Sequence, residues 1–536
     1  MTHRKITVIT PKKSLPCFGL PEIVEEKTIN TFGQEILLHK THYTYTPFGK
    51  ILQEDHYDAN HTHHHTIANV YDDQERLIST TDPLGHATCF TYDVNNNLIS
   101  ITGPKAHQHK EIVYDKANRP IRISDWQIDG TILVLEKKYD KLGRLIEEID
   151  ACKNSTRFIY DSFGKVTAVH HPDGVIEYKE YDTLGNLIQA TDPKGYITTK
   201  TYNAYGQTTS IRYPDGSEEH FTYNSTGTLS SHTNTNGCTI AYTYDVFDQP
   251  IEEKYLFNHE ILKTKQAVYT PFCKLSETDG EGNTILYSYD FSGRKIRETI
   301  GSKTTYFSYD ASGNLQTIEN DSFGQMEEHD LAGRLISKTL YSDAIQFQEK
   351  YAYDEASNTT HRFTSHGAFE VLYDTQGKPL LETNPLGHQT IHAYHFDADY
   401  RAVTIDANCI QTTHIHDNRG RETSLIKTNL QGDILSQNEN HYDPNGNLVT
   451  LTHHVYDPQR VTSITHKWEY GPQNRLERFI EAGERETRYC YDERGRLQTL
   501  VKPSGIQFHH EYDPLGRLSR YFSSDFDYTL RELRFF

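Results

Sequence analysis

A short histidine-rich segment offers the most concentrated side-chain chemistry in the sequence. It holds four histidines, namely His61, His63, His64 and His65. Neutral imidazole is a common ligand of zinc and nickel, so two or three of these side chains could bind such an ion. The alternative is a solvated loop between sequence units that begin at Tyr45 and Tyr71. Because no carboxylate or cysteine stands at a recognisable ligand spacing, we expect the loop, and we predict no metal site and no cofactor.

The dipeptide Tyr-Asp is the second feature that could carry chemistry, because it recurs along most of the chain. Repeated aspartates could serve as acid–base groups or as calcium ligands. Their regular position at the start of a turn favours a structural role, in which each carboxylate accepts hydrogen bonds from the backbone N–H groups ahead of it. No Ser/His/Asp elbow, phosphate-binding loop or metalloprotease motif is present, so we predict a non-enzymatic protein.

The Tyr-Asp dipeptide marks an internal repeat of about 22 residues. The anchor position occurs 21 times between residues 71 and 512, and it is Tyr in 18 units, followed by Asp in 17. Four positions after the anchor, Gly fills 13 of the 21 sites, which suits a type I turn that closes on a left-handed residue. We predict structural roles for Tyr92, Asp93, Tyr139, Asp140, Gly143, Tyr181, Asp182, Gly185, Tyr491, Asp492, Gly495, Tyr512, Asp513 and Gly516.

A second turn signal lies midway between successive anchors. It pairs Pro with Gly, as in Asp82-Pro-Leu-Gly85 and Asp192-Pro-Lys-Gly195. Each unit is therefore predicted to run strand, turn, strand, turn, with strands of about six residues. The predicted fold is all-β: about 22 tandem antiparallel β-hairpin units that form one long sheet.

Composition agrees with a thin sheet better than with several thick domains. Only 35% of the residues are hydrophobic and the mean hydropathy is −0.72, yet 37 Tyr and 23 Phe are too many aromatics for a disordered chain. In 10 of 21 units the residue two before the anchor is also aromatic and shares its face of the strand. These rings are expected to pack in ladders between units; the alternative is that exposed rings bind carbohydrate by stacking.

Charge and targeting signals exclude several classes of protein. The net charge of −20 repels phosphate backbones, so we predict no nucleic-acid partner. The seven Cys contain no C-x-x-C pair, and no segment has the length of a signal peptide's apolar run or of a membrane span. The 30 His could gain positive charge in acid, from which we hypothesise that the array loosens near pH 5.

The iterated motif Tyr-Asp-x-x-Gly-Arg-Leu, as in Tyr139 to Leu145 and Tyr512 to Leu518, closely resembles the RHS/YD-repeat family. The resemblance covers roughly 480 residues. It implies a β-hairpin strip that spirals into a hollow or partly open shell. In bacterial polymorphic toxins and insecticidal toxin complexes such a shell encloses a toxin, and in teneurins and related cell-surface proteins it belongs to an adhesion or contact machine.

The resemblance also implies partners and a location. Toxin or other polypeptide cargo, or a second chain that completes the shell, is expected as partner, with carbohydrate as the alternative. The family suggests a secreted or cell-surface protein exported by a route other than the general secretory one; otherwise the protein is cytoplasmic. A remnant that lacks its toxin is a further alternative.

We predict three regions along the chain. Residues 1–40 form a weakly repeat-like lead-in, residues 41–520 form the repeat array, and residues 521–536 form a tail without a core-associated or toxin domain. In the family, the core-associated segment carries an Asp-Pro signature that cleaves the chain. Asp513-Pro514 belongs to the ordinary repeat pattern, so no catalytic role is transferred to it.

Overall fold

Almost every described residue lies in a β-strand or in a short turn between two strands. The computed structural model describes residues 4–29, 34–105, 107–290, 292–310, 312–343, 345–396, 400–457, 459–523 and 527–528. These residues contain 47 strands, one 3₁₀ turn at Pro472–Asn474 and no α-helix. The prediction of an all-β fold is confirmed. Nothing helical in this part of the chain has the length and apolar character needed to cross a membrane.

The strands of the first half follow one another at close intervals. They are β1 Arg4–Pro11, β2 Pro21–Ile29, β3 Glu35–Tyr45, β4 Ile51–Tyr57, β5 His63–Tyr71, β6 Leu77–Thr81, β7 Ala87–Tyr92, β8 Leu98–Thr102, β9 His109–Tyr114, β10 Pro120–Trp126, β11 Ile132–Tyr139, β12 Leu145–Ile149, β13 Ser155–Tyr160, β14 Val166–His170, β15 Ile176–Tyr181, β16 Leu187–Thr191, β17 Ile197–Tyr202, β18 Thr208–Arg212, β19 Glu218–Tyr223, β20 Leu229–Thr233, β21 Thr239–Tyr244, β22 Pro250–Phe257 and β23 Glu260–Tyr269.

The second half continues the same pattern. Its strands are β24 Lys274–Thr278, β25 Thr284–Tyr289, β26 Lys295–Ile300, β27 Lys303–Tyr309, β28 Leu315–Asn320, β29 Phe323–His329, β30 Leu335–Tyr341, β31 Gln346–Tyr353, β32 Thr359–Thr364, β33 Gly367–Tyr373, β34 Pro379–Thr383, β35 Gln389–Phe396, β36 Tyr400–Ile405, β37 Gln411–His416, β38 Glu422–Thr428, β39 Ile434–Tyr442, β40 Leu448–Asp457, β41 Arg460–Tyr470, β42 Leu476–Glu481, β43 Arg485–Tyr491, β44 Leu497–Val501, β45 Gln507–Tyr512, β46 Leu518–Ser523 and β47 Asp527–Tyr528.

The described strand pairings are antiparallel and join neighbours in sequence. Of the predicted tail, residues 521–523 end β46 and residues 527–528 form β47, whereas residues 524–526 and 529–536 lie outside the described residues. The division into lead-in, array and tail stays a prediction. By contacts, the described residues group into two compact units: unit 1 covers 1–135, 268–278 and 282–391, and unit 2 covers 136–267, 279–281 and 392–536.

The turn that follows an anchor, called the Tyr-Asp turn below, has the same geometry in most units; the turn after Tyr269 is one residue shorter, and a 3₁₀ turn follows Tyr470. In the turn after β43, Gly495 N–H donates to Asp492 O at 2.9 Å, and the φ of Gly495 is +77°. The Asp492 carboxylate accepts hydrogen bonds from the backbone N–H groups of Arg494 and Arg496, at 3.0 and 2.9 Å. The register shifts by one residue at Tyr491, which is the bulge expected beside a left-handed glycine.

Where an arginine follows the turn, it links its unit to the next one. Arg496 pairs with Asp492 of its own turn at 2.7 Å, and its guanidinium lies 4.7 Å from the ring centre of Tyr512 in the next unit. The Tyr512 hydroxyl donates to Leu497 O at 2.8 Å. The motif Tyr-Asp-x-x-Gly-Arg-Leu is therefore a set of contacts between successive hairpins.

Replacing Asp492 by alanine is expected to lower the free energy of unfolding by about 1–2 kcal/mol, because two backbone donors and Arg496 lose a charged acceptor. Burial raises the pKa of Asp492, but the hydrogen bonds from Arg496 outweigh it and hold that pKa below its usual range. The carboxylate therefore stabilises the fold above pH 3.8 and loses this effect as pH falls through its folded pKa. Urea unfolding at neutral pH measures the loss, with exposed Glu493→Ala as the matched control; equal stability of the two variants would contradict it.

The sheet has almost no interior. Among the described residues, only four hydrophobic side chains are buried, those of Cys17, Cys152, Ala168 and Cys238. Most other side chains are partly exposed, and alternate positions face water, as with Ile159 on β13. The low hydrophobic fraction of the sequence follows from this thin wall.

Candidate functional site

Within unit 2, two strips of hairpins meet edge to edge. The first strip is formed by residues 136–267 and the second by the described residues between 392 and 528. In the first strip the turns between Tyr-Asp turns, called midway turns below, lie against the Tyr-Asp turns of the second strip. We call this line of contacts the seam; its partners are about 250 residues apart in sequence.

Carboxylates of the first strip accept hydrogen bonds from arginines of the second strip. In the midway turn after β14, Asp173 accepts from Arg419 at 3.1 Å and from Arg421 at 3.2 Å. Arg421 also pairs with Asp417 of its own Tyr-Asp turn at 2.7 Å. The arginine that joins neighbouring units along a strip thus also joins the two strips.

Lys194 makes the densest set of seam contacts. Its ammonium group lies 3.3 Å from the Asp443 carboxylate and donates to Tyr470 O at 2.7 Å. Its backbone N–H donates to Asn445 at 3.1 Å, and the Asn445 amide donates in turn to Asp192 at 2.7 Å. Burial raises the pKa of Asp443, but Asn447 and Lys194 hold it below its usual range, so this carboxylate is charged at neutral pH.

Asp215 repeats this arrangement in the next midway turn. It accepts hydrogen bonds from Gln473 at 3.1 Å and from Arg475. Burial raises the pKa of Asp215, yet hydrogen bonds from Ser217 and Arg475 keep it lowered. The seam of unit 2 therefore consists mainly of charge-assisted hydrogen bonds, which are stronger than neutral ones.

Unit 1 has a seam of the same kind between residues 1–135 and 282–391. Lys105 lies in the midway turn after β8; its ammonium group is 2.8 Å from Asp354 and donates to the carbonyl oxygens of Tyr373 and Asp374 at 3.4 and 3.2 Å. The Thr375 hydroxyl donates to Trp126 O at 2.9 Å. Lysine reaching from a midway turn into a Tyr-Asp turn is thus common to both units.

Sequence reasoning did not find the seam. Lys105, Asp173, Lys194 and Asp215 looked like ordinary solvated turn residues, and their partners are far away in the chain. The sequence contained one signal, at the third residue of the Tyr-Asp turn, counted with the residue after the anchor tyrosine as the first. This third residue is often large and apolar in the first half of the chain and is polar or small in much of the second half. That difference can be interpreted only when the structure shows which turns lie at a covered edge of a strip and which at an uncovered edge.

The residues predicted to be structural lie at the turns. The five predicted tyrosines end strands β7, β11, β15, β43 and β45, and each predicted aspartate follows its tyrosine. The four glycines have φ between +77° and +87°: Gly143, Gly185, Gly495 and Gly516. The hydroxyl of Tyr92 donates to Leu77 O at 2.9 Å, the same contact that Tyr512 makes with Leu497.

The four candidate metal-binding histidines do not converge on one point. His61 takes the left-handed position of a turn, with φ +62°. His63 lies 3.0 Å from Thr66 and 3.7 Å from Asp55. His64 and His65 are within 2.7 Å of each other through their Nδ1 atoms. Among the described residues, no group of three His, Cys, Asp or Glu side chains has the geometry to hold a metal ion.

His65 instead belongs to a ladder of histidines across three strands of unit 1. Its ring stacks on His56 of β4, with ring centres 4.5 Å apart, and His56 Nδ1 lies 3.3 Å from His39 Nε2 of β3. Sequence reasoning missed His39 and His56, because cross-strand register brings them to His65. Burial, followed by the charges of His56 and His64, lowers the pKa of His65 to about 4.

The thermal stability of the protein is expected to fall as pH drops from 6.5 toward 4. Burial and the charge of His56 also lower the pKa of His39, against the opposing effect of Glu26. A histidine whose pKa is lowered in the folded state makes the unfolded chain bind more protons than the folded chain over this interval. Stability therefore decreases as the pH is lowered through the interval and is unchanged above it.

Melting temperatures of wild type and His65→Gln between pH 7.5 and 4.5 measure the effect. The variant should show a shallower decline, and exposed His220→Gln should follow wild type; parallel curves for wild type and His65→Gln would contradict the prediction.

The large pKa shift of Glu147 has a structural cause. Lys138, Ser155 and Arg157 donate to this carboxylate and lower its pKa to about 2. Lys138 lies at 2.6 Å and Arg157 at 3.0 Å on the two flanking strands. A carboxylate held this strongly in its ionised form is a cross-strand ion pair and a poor proton donor near neutral pH.

This fold and these seams define an all-β repeat protein whose hairpin strips join edge to edge. A teneurin YD-shell family model matches residues 19–198, and an RHS repeat model matches residues 181–218. The resemblance to the RHS/YD-repeat family is confirmed. Together the two models match residues 19–218, and both describe repeats of the shell type.

Solved toxin-complex structures share the fold. The crystal structure of TcdB2-TccC3 matches with 13% identity and a TM-score of 0.58, over 96% of this chain and 37% of that chain. The Photorhabdus luminescens Tc holotoxin pore, with a variant TccC3, matches with 12% identity and a TM-score of 0.58, over 94% of this chain and 35% of that chain. TcdB2-TccC3 without its hypervariable C-terminal region has 12% identity and a TM-score of 0.57. The chain spans little more than a third of the length of these solved chains.

Proposed function

We propose that this protein is non-enzymatic wall material that encloses or presents a partner polypeptide, with residues 41–520 as the wall-forming array. The observation that carries the proposal is the seam, because it joins strips of a thin sheet into a broader wall within each unit. A wall one sheet thick provides a broad surface relative to its interior. The resemblance to toxin-complex proteins supports a polypeptide as partner and a secreted or cell-surface location reached outside the general secretory route.

Protection from proteolysis tests the proposal. A disordered, protease-sensitive reporter is fused to the C-terminus of the full chain, and its half-life with proteinase K is compared with that of the same reporter on an unrelated folded protein. We expect the reporter to be degraded more slowly on this chain. Degradation at the same rate in both fusions would overturn enclosure of a polypeptide.

A seam variant distinguishes enclosure from local shielding. Lys194→Ala removes the central contacts of the unit 2 seam, whereas Lys141→Ala changes an exposed residue of a Tyr-Asp turn. Protection should decrease in Lys194→Ala and persist in Lys141→Ala. If both variants protect the reporter as wild type does, the wall formed by the seam is not what shields it.

A further inference from the structure

One edge of unit 2 carries a row of uncovered apolar side chains. They occupy the third position in five of the six Tyr-Asp turns of the first strip, with Thr226 in the remaining turn, and are 59–90% exposed: Leu142, Phe163, Leu184, Tyr205 and Phe247. We call this row the apolar edge. Successive turns lie two strands apart, so the side chains from Leu142 to Tyr205 recur at intervals of about 9.6 Å along the edge.

The same turn position has a different composition where it is covered. In the second strip the corresponding residues are mostly polar: Arg419, Asn445, Gln473 and Arg494. Arg419 and Gln473 reach aspartates of the first strip, and Asn445 reaches Asp192. Because these are equivalent positions of one repeat, turn geometry alone does not require Phe or Leu there. Burial against another surface would account for these apolar residues.

The seam shows what a row of Tyr-Asp turns binds, namely a row of midway turns. Unit 2 has a second such row on its opposite side, formed by the midway turns of the second strip. These turns include residues 406–409, 429–432 and 502–505, and Leu430 at one tip is 68% exposed. Their spacing is also two strands, so the pitch of the two outer edges is the same.

We propose that the apolar edge binds the midway turns of the second strip of another copy of this chain. The two surfaces differ, so the contact is head-to-tail and leaves one free edge of each kind at the ends of a stack. In the first strip of unit 1, only Phe48, which is 78% exposed, is a large apolar residue at this turn position; Gln74, Asn95 and Ala117 fill it in the next turns. The proposal goes beyond the enclosing role and does not depend on it.

Molar mass in solution tests the proposal. Multi-angle light scattering and sedimentation of the full chain, from micromolar to the highest soluble concentration, should show mass rising in multiples of 61.9 kDa. The double variant Phe163→Ser/Leu184→Ser should weaken association at least about 100-fold, since each buried Phe or Leu side chain contributes about tenfold or more in affinity. Ser312 already occupies this turn position, so the variant is compatible with the fold.

A matched control separates this edge from general hydrophobicity. Ile159→Thr/Tyr178→Thr removes two apolar residues of similar size that are 48% and 50% exposed on strand faces of the same strip. It should associate as wild type does. A wild-type mass of one chain at every concentration, or equal association of wild type and Phe163→Ser/Leu184→Ser, would overturn the proposal.

Photo-crosslinking identifies the surface that is bound. A benzophenone side chain in place of Leu184 should crosslink between copies to peptides that contain residues 406–409, 429–432 or 502–505. Crosslinks between copies that map to strand faces or to other Tyr-Asp turns would overturn the assignment of the midway turns, whatever the measured mass.

Discussion

Tyr202→Ala is expected to lower the free energy of unfolding by about 3–4 kcal/mol, the largest effect of a single substitution that we predict. The Tyr202 ring is partly buried at the end of β17, and its hydroxyl donates to Leu187 O at 2.7 Å. Removing the ring deletes the packing of one hairpin on the preceding one and leaves a carbonyl without its donor. Chemical denaturation followed by circular dichroism measures the loss.

Two further variants separate the ring from its hydroxyl group. Tyr202→Phe keeps the ring and should cost only about 1 kcal/mol, the usual net value of one hydrogen bond. Tyr205→Ala removes a tyrosine three residues away that is 90% exposed, and it should leave stability nearly unchanged at dilute concentration. A similar loss in Tyr202→Ala and Tyr205→Ala would show that the anchor tyrosine does not join the hairpins.

Lys194→Ala is expected to lower the free energy of unfolding by about 2–3 kcal/mol. The substitution leaves Asp443, whose side chain is 9% exposed, without its cation, and it removes the donor to Tyr470 O. Because Lys194 helps to keep the pKa of Asp443 low, the variant should also begin to lose stability at a higher pH on acidification than wild type does.

The exposed Lys141 provides the control for Lys194. Lys141→Ala removes the same charge from a turn of the first strip that faces water, so its effect should be within about 0.5 kcal/mol of zero. Added salt should lower the free energy of unfolding of wild type only part of the way to that of Lys194→Ala, because salt screens partly buried ion pairs less than exposed ones. Equal unfolding curves for Lys194→Ala and Lys141→Ala would mean that the seam contributes no measurable stability.

The sequence by itself determined the repeat and its hairpin geometry, because that information is local. Asp492 and Gly495 lie three residues apart, and the carboxylate acceptor and the positive φ are properties of those residue types. Parity along a strand places the anchor tyrosine and the residue two before it on one face. The all-β fold, the turn type and the absence of a thick core follow from such short-range patterns.

Only the tertiary structure decided which turns meet. Asp215 and Arg475 are separated by 260 residues, and no local rule states how many hairpins pass before one strip lies against another. The same limitation hid the histidine ladder, since His39 reaches His56 through strand register. The charge pairs between strips and the uncovered apolar edge both depend on that long-range placement. The placement results from many small twists between neighbouring strands, which accumulate along the sheet.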